Sequence, residues 1–250
     1  MRFRTANPVL RRVERDHAFT GGDTASYQGV IFKTALMLGL MVIAGVFTFT
    51  SVIRGDDMTP GVIGLVNAAP FIALISVIVA SLSVRLSALF TTIYALCQGL
   101  FLGVVSAMYD LVYGDFLVAT AILATVGVFT GMLGLYSSGL VRVTAAMRRF
   151  LFAALIGILI MSVILMIIGF ASPGTLGGEG TLTLLLVISV VSIIVASLYL
   201  LVDFDNIVRV VDAGADKRYE WRLALGLMVT LVWLYVELLR LLALLRARRR

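Results

Sequence analysis

With 250 residues, 61% of them hydrophobic and only 14% charged, and a mean hydropathy of +1.08, the chain is excluded from the soluble globular class and reads as an integral membrane protein. The 20 Lys and Arg against 14 Asp and Glu give a net charge of +6. Those basic residues sit at the ends of apolar runs, where headgroup contact and loop bias account for them, so nucleic acid is not an expected partner and the lipid bilayer is.

Along the chain, residues 1–33 are polar and are read as a cytoplasmic N-terminal tail, ending in an interfacial turn around Tyr27 to Lys33. No short apolar stretch with a cleavage site precedes the first apolar run, so no cleaved signal peptide is expected. Seven apolar runs follow, roughly 34–53, 61–84, 86–109, 116–141, 150–172, 181–202 and 223–245. At about 1.5 Å per residue each is long enough to cross about 30 Å of hydrocarbon. The fold class is therefore all-α, a seven-helix transmembrane bundle over residues 34–250, and strand-like alternation is missing. Asn67 and Pro70 mark a kink in the second run. In the third, Gly99, Gly103 and Ala107 recur every four residues and suit close helix packing, with Gln98 beside them as a polar group bonding across helices or lining a pathway. "GTLGGEG" (174–180) is a connecting loop; no Lys-Ser/Thr pair follows it to cradle a phosphate.

Basic residues orient the bundle. With the N-terminus inside, the inner segments hold 14 of the 20 and the outer loops only Arg54, until the C-terminal "RARRR". That terminus leaves two topologies open: a full seventh crossing, or a last segment that enters and returns on one side.

Catalytic chemistry has little to work with. His17, the only histidine, lies in the tail, and Cys97, the only cysteine, lies mid-span as a small hydrophobe, so a Ser-His dyad, a His-based zinc site and a disulfide framework all fall away. The two lysines, Lys33 and Lys217, stand at span boundaries, which excludes a mid-membrane Schiff base. A non-enzyme with no tightly bound cofactor is expected.

The acids carry the functional signal, because an ionised group at a helix centre costs about 2.5–3.5 kcal/mol on insertion scales. Asp203 and Asp205 end a run of 22 uncharged residues, Thr181 to Val202, and their spacing points them to different helix faces. Asp205 has Arg209 four residues on as a local partner, so Asp203 is the inward candidate; the alternative is that both mark the water boundary. Glu237 lies in the second half of the seventh run with Arg240 three residues away. Either that pair neutralises itself, or Glu237 meets Asp203 across a helix contact and the two share a proton. Deprotonated, such a pair would also suit a transient Ca²⁺.

"ANPVLRR" (6–12), "IFKTALMLGL" (31–40), "YALCQGLFLGVVSA" (94–107), "MLGLYSSGLVRVTAAMRRF" (132–150), "VDFDNI" (202–207) and "LYVELLRLLALL" (234–245) together resemble the Bax inhibitor-1 (transmembrane BAX inhibitor motif) family, in its bacterial YccA-like branch. The resemblance implies a bundle whose last helix is central. It also implies a pH-sensitive calcium leak across the bacterial cytoplasmic membrane, gated by an acidic pair at Asp203 and Glu237. Glu237 stands where relatives commonly carry Asp, and Gln98 where many carry Glu. Arg85 is the candidate for a basic latch partner near the second span. The competing reading is a non-transporting modulator of membrane proteases or stress responses; a proton-coupled transporter is a poorer one, without an inverted repeat.

Overall fold

The computed structural model describes residues 23–55, 59–114, 116–171 and 179–248. Within them lie seven helices and no strand: α1 (Tyr27–Arg54), α2 (Pro60–Leu82), α3 (Ser87–Tyr113), α4 (Leu117–Ser137), α5 (Ala145–Ala171), α6 (Glu179–Asp212) and α7 (Tyr219–Ala247). All seven are long and apolar enough to cross a membrane. Tail residues 1–22, with Arg11, Arg12, Arg15 and His17, lie outside the described residues, as do most of the 174–180 loop and the last two arginines.

Helix ends differ from the apolar runs for local reasons. α1 starts at Tyr27 rather than near residue 34 because Ser26 caps it, its Oγ accepting the Gly29 amide at 3.0 Å. The buried residues Val30, Thr34, Met37, Met41, Ala44 and Thr48 then repeat at three- and four-residue intervals as one helical stripe. α6 continues ten residues past the end of the uncharged run at Val202, supported on its surface by the Asp205–Arg209 pair. It stops at Gly214, whose φ of +66° closes a Schellman turn: the Ala215 amide donates to Val210 O at 3.3 Å and the Gly214 amide to Val211 O at 2.9 Å. Pro70 sits within an otherwise continuous α2.

The chain forms two compact units, one of Met1–Thr48, Asp57–Leu102 and Asp205–Met228, the other of Phe49–Asp56, Gly103–Phe204 and Val229–Arg250. Lipid tails are as apolar as leucine, so these helices gain from close fit and internal hydrogen bonds rather than from leaving water. In the first unit the backbone of α3 comes against α1 at Gly99, where a Cβ would overlap the carbonyl oxygen of Met41 and lie 2.9 Å from the Ala44 methyl. Thr48 Oγ1 donates to Leu100 O at 3.0 Å beside it. In the second unit, Leu239 and Ala243 of α7 pack on Leu117 and Ala121 of α4 with Tyr109 and Tyr113 of α3 around them. Leu151 of α5 packs with Val195, Leu201 and Val202 of α6 and with Val143.

Two sets of contacts hold the ends of α7. At the start of α7, Ser87 and Thr91 of α3 reach the carbonyl oxygens of Arg218 and Trp221, each at 3.4 Å. At its end, the Arg246 guanidinium donates to the carbonyl oxygens of Tyr113 and Gly114, at 2.5 and 3.2 Å, where α3 finishes. α7 is one unbroken helix of 29 residues, long and apolar enough to cross a membrane.

The Gly99 approach is testable. Gly99→Ala should lower stability in detergent by about 1–3 kcal/mol through overpacking. Gly131→Ala on α4, where a Cβ meets nothing within 4 Å, should leave the melting temperature unchanged or slightly higher.

Candidate functional site

The second unit holds both intramembrane acids of the sequence reading, on different neighbours. Asp203 turns inward as expected and accepts a 2.6 Å hydrogen bond from Thr230 Oγ1 of α7. Its second neighbour of note is Arg148 of α5, whose charge reaches the carboxylate without a hydrogen bond between them. Asp205 points elsewhere and is held by Arg209 at 2.7 Å.

Glu237 is buried, 4% exposed, and its carboxylate is already shared. Oε1 accepts from Arg240 at 3.4 Å, and Oε2 accepts from Ser189 Oγ of α6 at 3.4 Å. Of the two readings left open for this acid, the self-neutralising pair with Arg240 is the one formed.

The contact between Asp203 and Glu237 is not formed. Their partners stand two turns apart on α7 (Thr230 against residue 237, about 10 Å of rise) and four turns apart on α6 (Ser189 against residue 203, about 21 Å). The molecule therefore carries two single carboxylate sites rather than one proton-sharing pair. Between them on α7 lie Trp233, edge-on to Tyr199 with ring centroids 6.2 Å apart, and Tyr235, whose hydroxyl is 2.7 Å from Ser106 Oγ.

The remaining candidates stay apart from both acids. Gln98 is half-buried with no hydrogen-bond partner among the described residues. Arg85 is exposed in the turn between α2 and α3, with no ion pair to an acid among the described residues. No group of three or more His, Cys, Asp or Glu side chains able to hold a metal occurs among the described residues.

The first unit contains a polar centre that the sequence reading missed. Glu220, in the first turn of α7, is completely buried and accepts three donors: Ser26 N at 2.8 Å, Ser26 Oγ at 3.1 Å and Lys33 Nζ at 2.5 Å. The Lys33 ammonium also stands 5.0 Å over the Trp221 ring. Gly29 makes room for the Glu220 carboxylate, which a Cβ at that position would overlap. Outside this pair, residues 23–26 lie along the α6–α7 connection as a short strap. Thr24 bridges Asp216, Ala25 N donates to Ala215 O at 2.7 Å, and Lys217 N donates to Asp23 O at 3.0 Å. Asp23 and Lys217 close an exposed ion pair at 2.9 Å, and Tyr27 Oη donates to Asp212 at 2.6 Å.

A family model described as Bax inhibitor 1 like matches residues 7–247. The chain belongs to the Bax inhibitor-1-like family. No curated protein matches it. For this Bax inhibitor-1-like protein the match spans the strap, both acid sites and all seven helices, so none of these features lies in an appended segment.

Within this family member, the missed residues had weak signals. Glu220 and Lys33 are 187 positions apart and read singly as boundary charges; only the first-turn acid of α7, favourable at a helix N-terminus, was visible locally. Thr230 is the lone hydroxyl in the apolar run from residue 223 to 234, which was the available clue to a polar partner across the helix pair.

The strap also yields a pH expectation. The hydrogen bond and charge of Lys217 hold the Asp23 carboxyl below the usual carboxylate range, and Asp23 holds the Lys217 ammonium above the usual lysine range. A depressed acid contributes stability above its ordinary value, which is lost as pH falls through its lowered one; a raised base contributes below its ordinary value and loses that only as pH rises through its raised one. Amide-exchange protection of residues 23–26, corrected for intrinsic rates, should therefore stay flat from about pH 5 to about pH 9. Asp23→Asn should lower it by the same factor throughout that window.

Proposed function

We propose that this membrane protein is a calcium leak pathway of the bacterial cytoplasmic membrane whose opening depends on protonation of Asp203 on α6 and Glu237 on α7, each acting at its own site. The carrying observation is the Asp203–Thr230 contact. Inside a membrane helix, a carboxylate held by a neutral hydroxyl keeps lone pairs for a proton or a hard cation, whereas one in a tight ion pair has them occupied. Family membership supports the reading, and the 14 basic residues favour a cytoplasmic side for the strap and the α6–α7 connection.

A second reading has its own observation. Glu237 is already bonded to Ser189 and Arg240, as an acid would be that only locks helices together in a non-transporting modulator of membrane proteases or stress responses.

Calcium flux into liposomes containing the purified protein separates the two. Over about pH 5 to 8, the leak reading expects wild-type flux to change with pH and Asp203→Asn to remove the larger part of that dependence. Glu237→Gln should change the size of the leak and keep part of its pH dependence, because Asp203 still titrates. Its cost in stability should be about 1–2 kcal/mol, less than the 3–5 kcal/mol of a fully buried pair, since the Arg240 side chain is 37% exposed. Background flux for wild type at every pH would overturn the leak and leave the modulator.

A further inference from the structure

The geometry points to a releasable clamp at the start of α7, formed by the strap of residues 23–26, the Lys33–Glu220 pair and the Trp221 ring, which sets the position of the helix that carries Thr230 and Glu237. Three features argue for it. First, the contacts join segments nearly 200 residues apart in sequence, and they use the strap backbone as well as side chains, so the strap is fixed in register and not merely adsorbed. Second, the donors on Glu220 come from two kinds of place. Lys33 belongs to α1 itself, while Ser26 is the α1 cap and the last residue of the strap, so withdrawing the strap removes two of the three hydrogen bonds and leaves one ion pair to hold a fully buried carboxylate. Third, the outer closures of the strap are weak by comparison: Asp23 and Lys217 are exposed, and a bond between two exposed side chains joins Tyr27 to Asp212. The arrangement is a strong inner anchor behind a loosely fastened outer edge, which suits release from the tail side.

α7 is a single helix from Tyr219 to Ala247, and an α-helix resists bending without a proline or a bulge. A change at Glu220 and Trp221 is therefore carried along the rod toward Thr230, Trp233 and Glu237. This gives the leak reading a control element, and on that reading the flux half of the test rests; the clamp itself is read independently of flux.

The chain has two tryptophans, Trp221 in the clamp and Trp233 twelve residues deeper on the same helix, so each can serve as a reporter when the other is replaced. In Trp233→Phe protein, Glu220→Gln should shift Trp221 emission to longer wavelength. In Trp221→Phe protein, the same Glu220→Gln should also shift the emission of Trp233. Joining Thr24→Cys to Asp216→Cys, whose bridged positions suit a disulfide, should reverse both shifts when oxidised and release them when reduced. A Trp221 response without a Trp233 response would overturn the proposal, since the strap would then be a local fastening. No response of either would overturn it too. Flux through the crosslinked full chain in liposomes gives the second arm: the oxidised sample should leak less calcium than the same sample after reduction. Equal leaks, with wild type leaking, count against the clamp as a control element. Absence of any leak counts against the transport reading alone, and the fluorescence result then decides the clamp.

Discussion

Every charge placed inside the hydrocarbon must be given a partner, because an ionised carboxylate stripped of water costs several kcal/mol that only a hydrogen bond or opposite charge can offset. Three enclosed acids among the described residues meet that demand in three different ways. Glu220 has a lysine and a capped helix start, Glu237 an arginine one turn on and a serine across the helix pair, and Asp203 a threonine hydroxyl with the Arg148 charge nearby. The compensation differs in kind: an ion pair with hydrogen bonds at Glu220, a shared carboxylate at Glu237, and a hydroxyl contact at Asp203.

Because the first and last turns of α7 are tied to the two ends of α3, the helix that presents Thr230 and Glu237 is also the one whose ends are fixed. Its apolar window has the largest buried share of the seven, 50%, against 6% for α5, so a change in its position is felt by more enclosed side chains than a change in α5. The outer faces behave differently. Ile31, Phe32, Phe71 and Leu123 are exposed to the extent of two-thirds or more, as lipid-facing side chains must be.

Much of this was legible in the sequence. Seven crossings followed from run length, the inward turn of Asp203 from the local partner available to Asp205, and the tight approach at Gly99 from small residues spaced by four. Helix ends were less legible, since hydropathy cannot register a Ser26 cap or a helix that runs on through Asp203 to Asp212. The contact of Asp203 with Glu237 was one of two readings of these residues, and the one the family resemblance implied; the structure gives each acid its own neighbour, because the meeting point of two helices depends on crossing geometry that spacing along one chain does not encode. Glu220 with Lys33 was invisible for the same reason.

The central claim is that Asp203 and Glu237 are two separate sites. Infrared difference spectra of the protonated carboxyl band, recorded through a pH titration in lipid, test it most directly. If the sites are separate, Asp203→Asn should remove one titrating band and leave the Glu237 band with its midpoint unmoved, and Glu237→Gln should do the reverse. A midpoint of either acid that moves by a pH unit or more when the other is neutralised, about 1.4 kcal/mol of coupling, would show a shared proton and contradict the account.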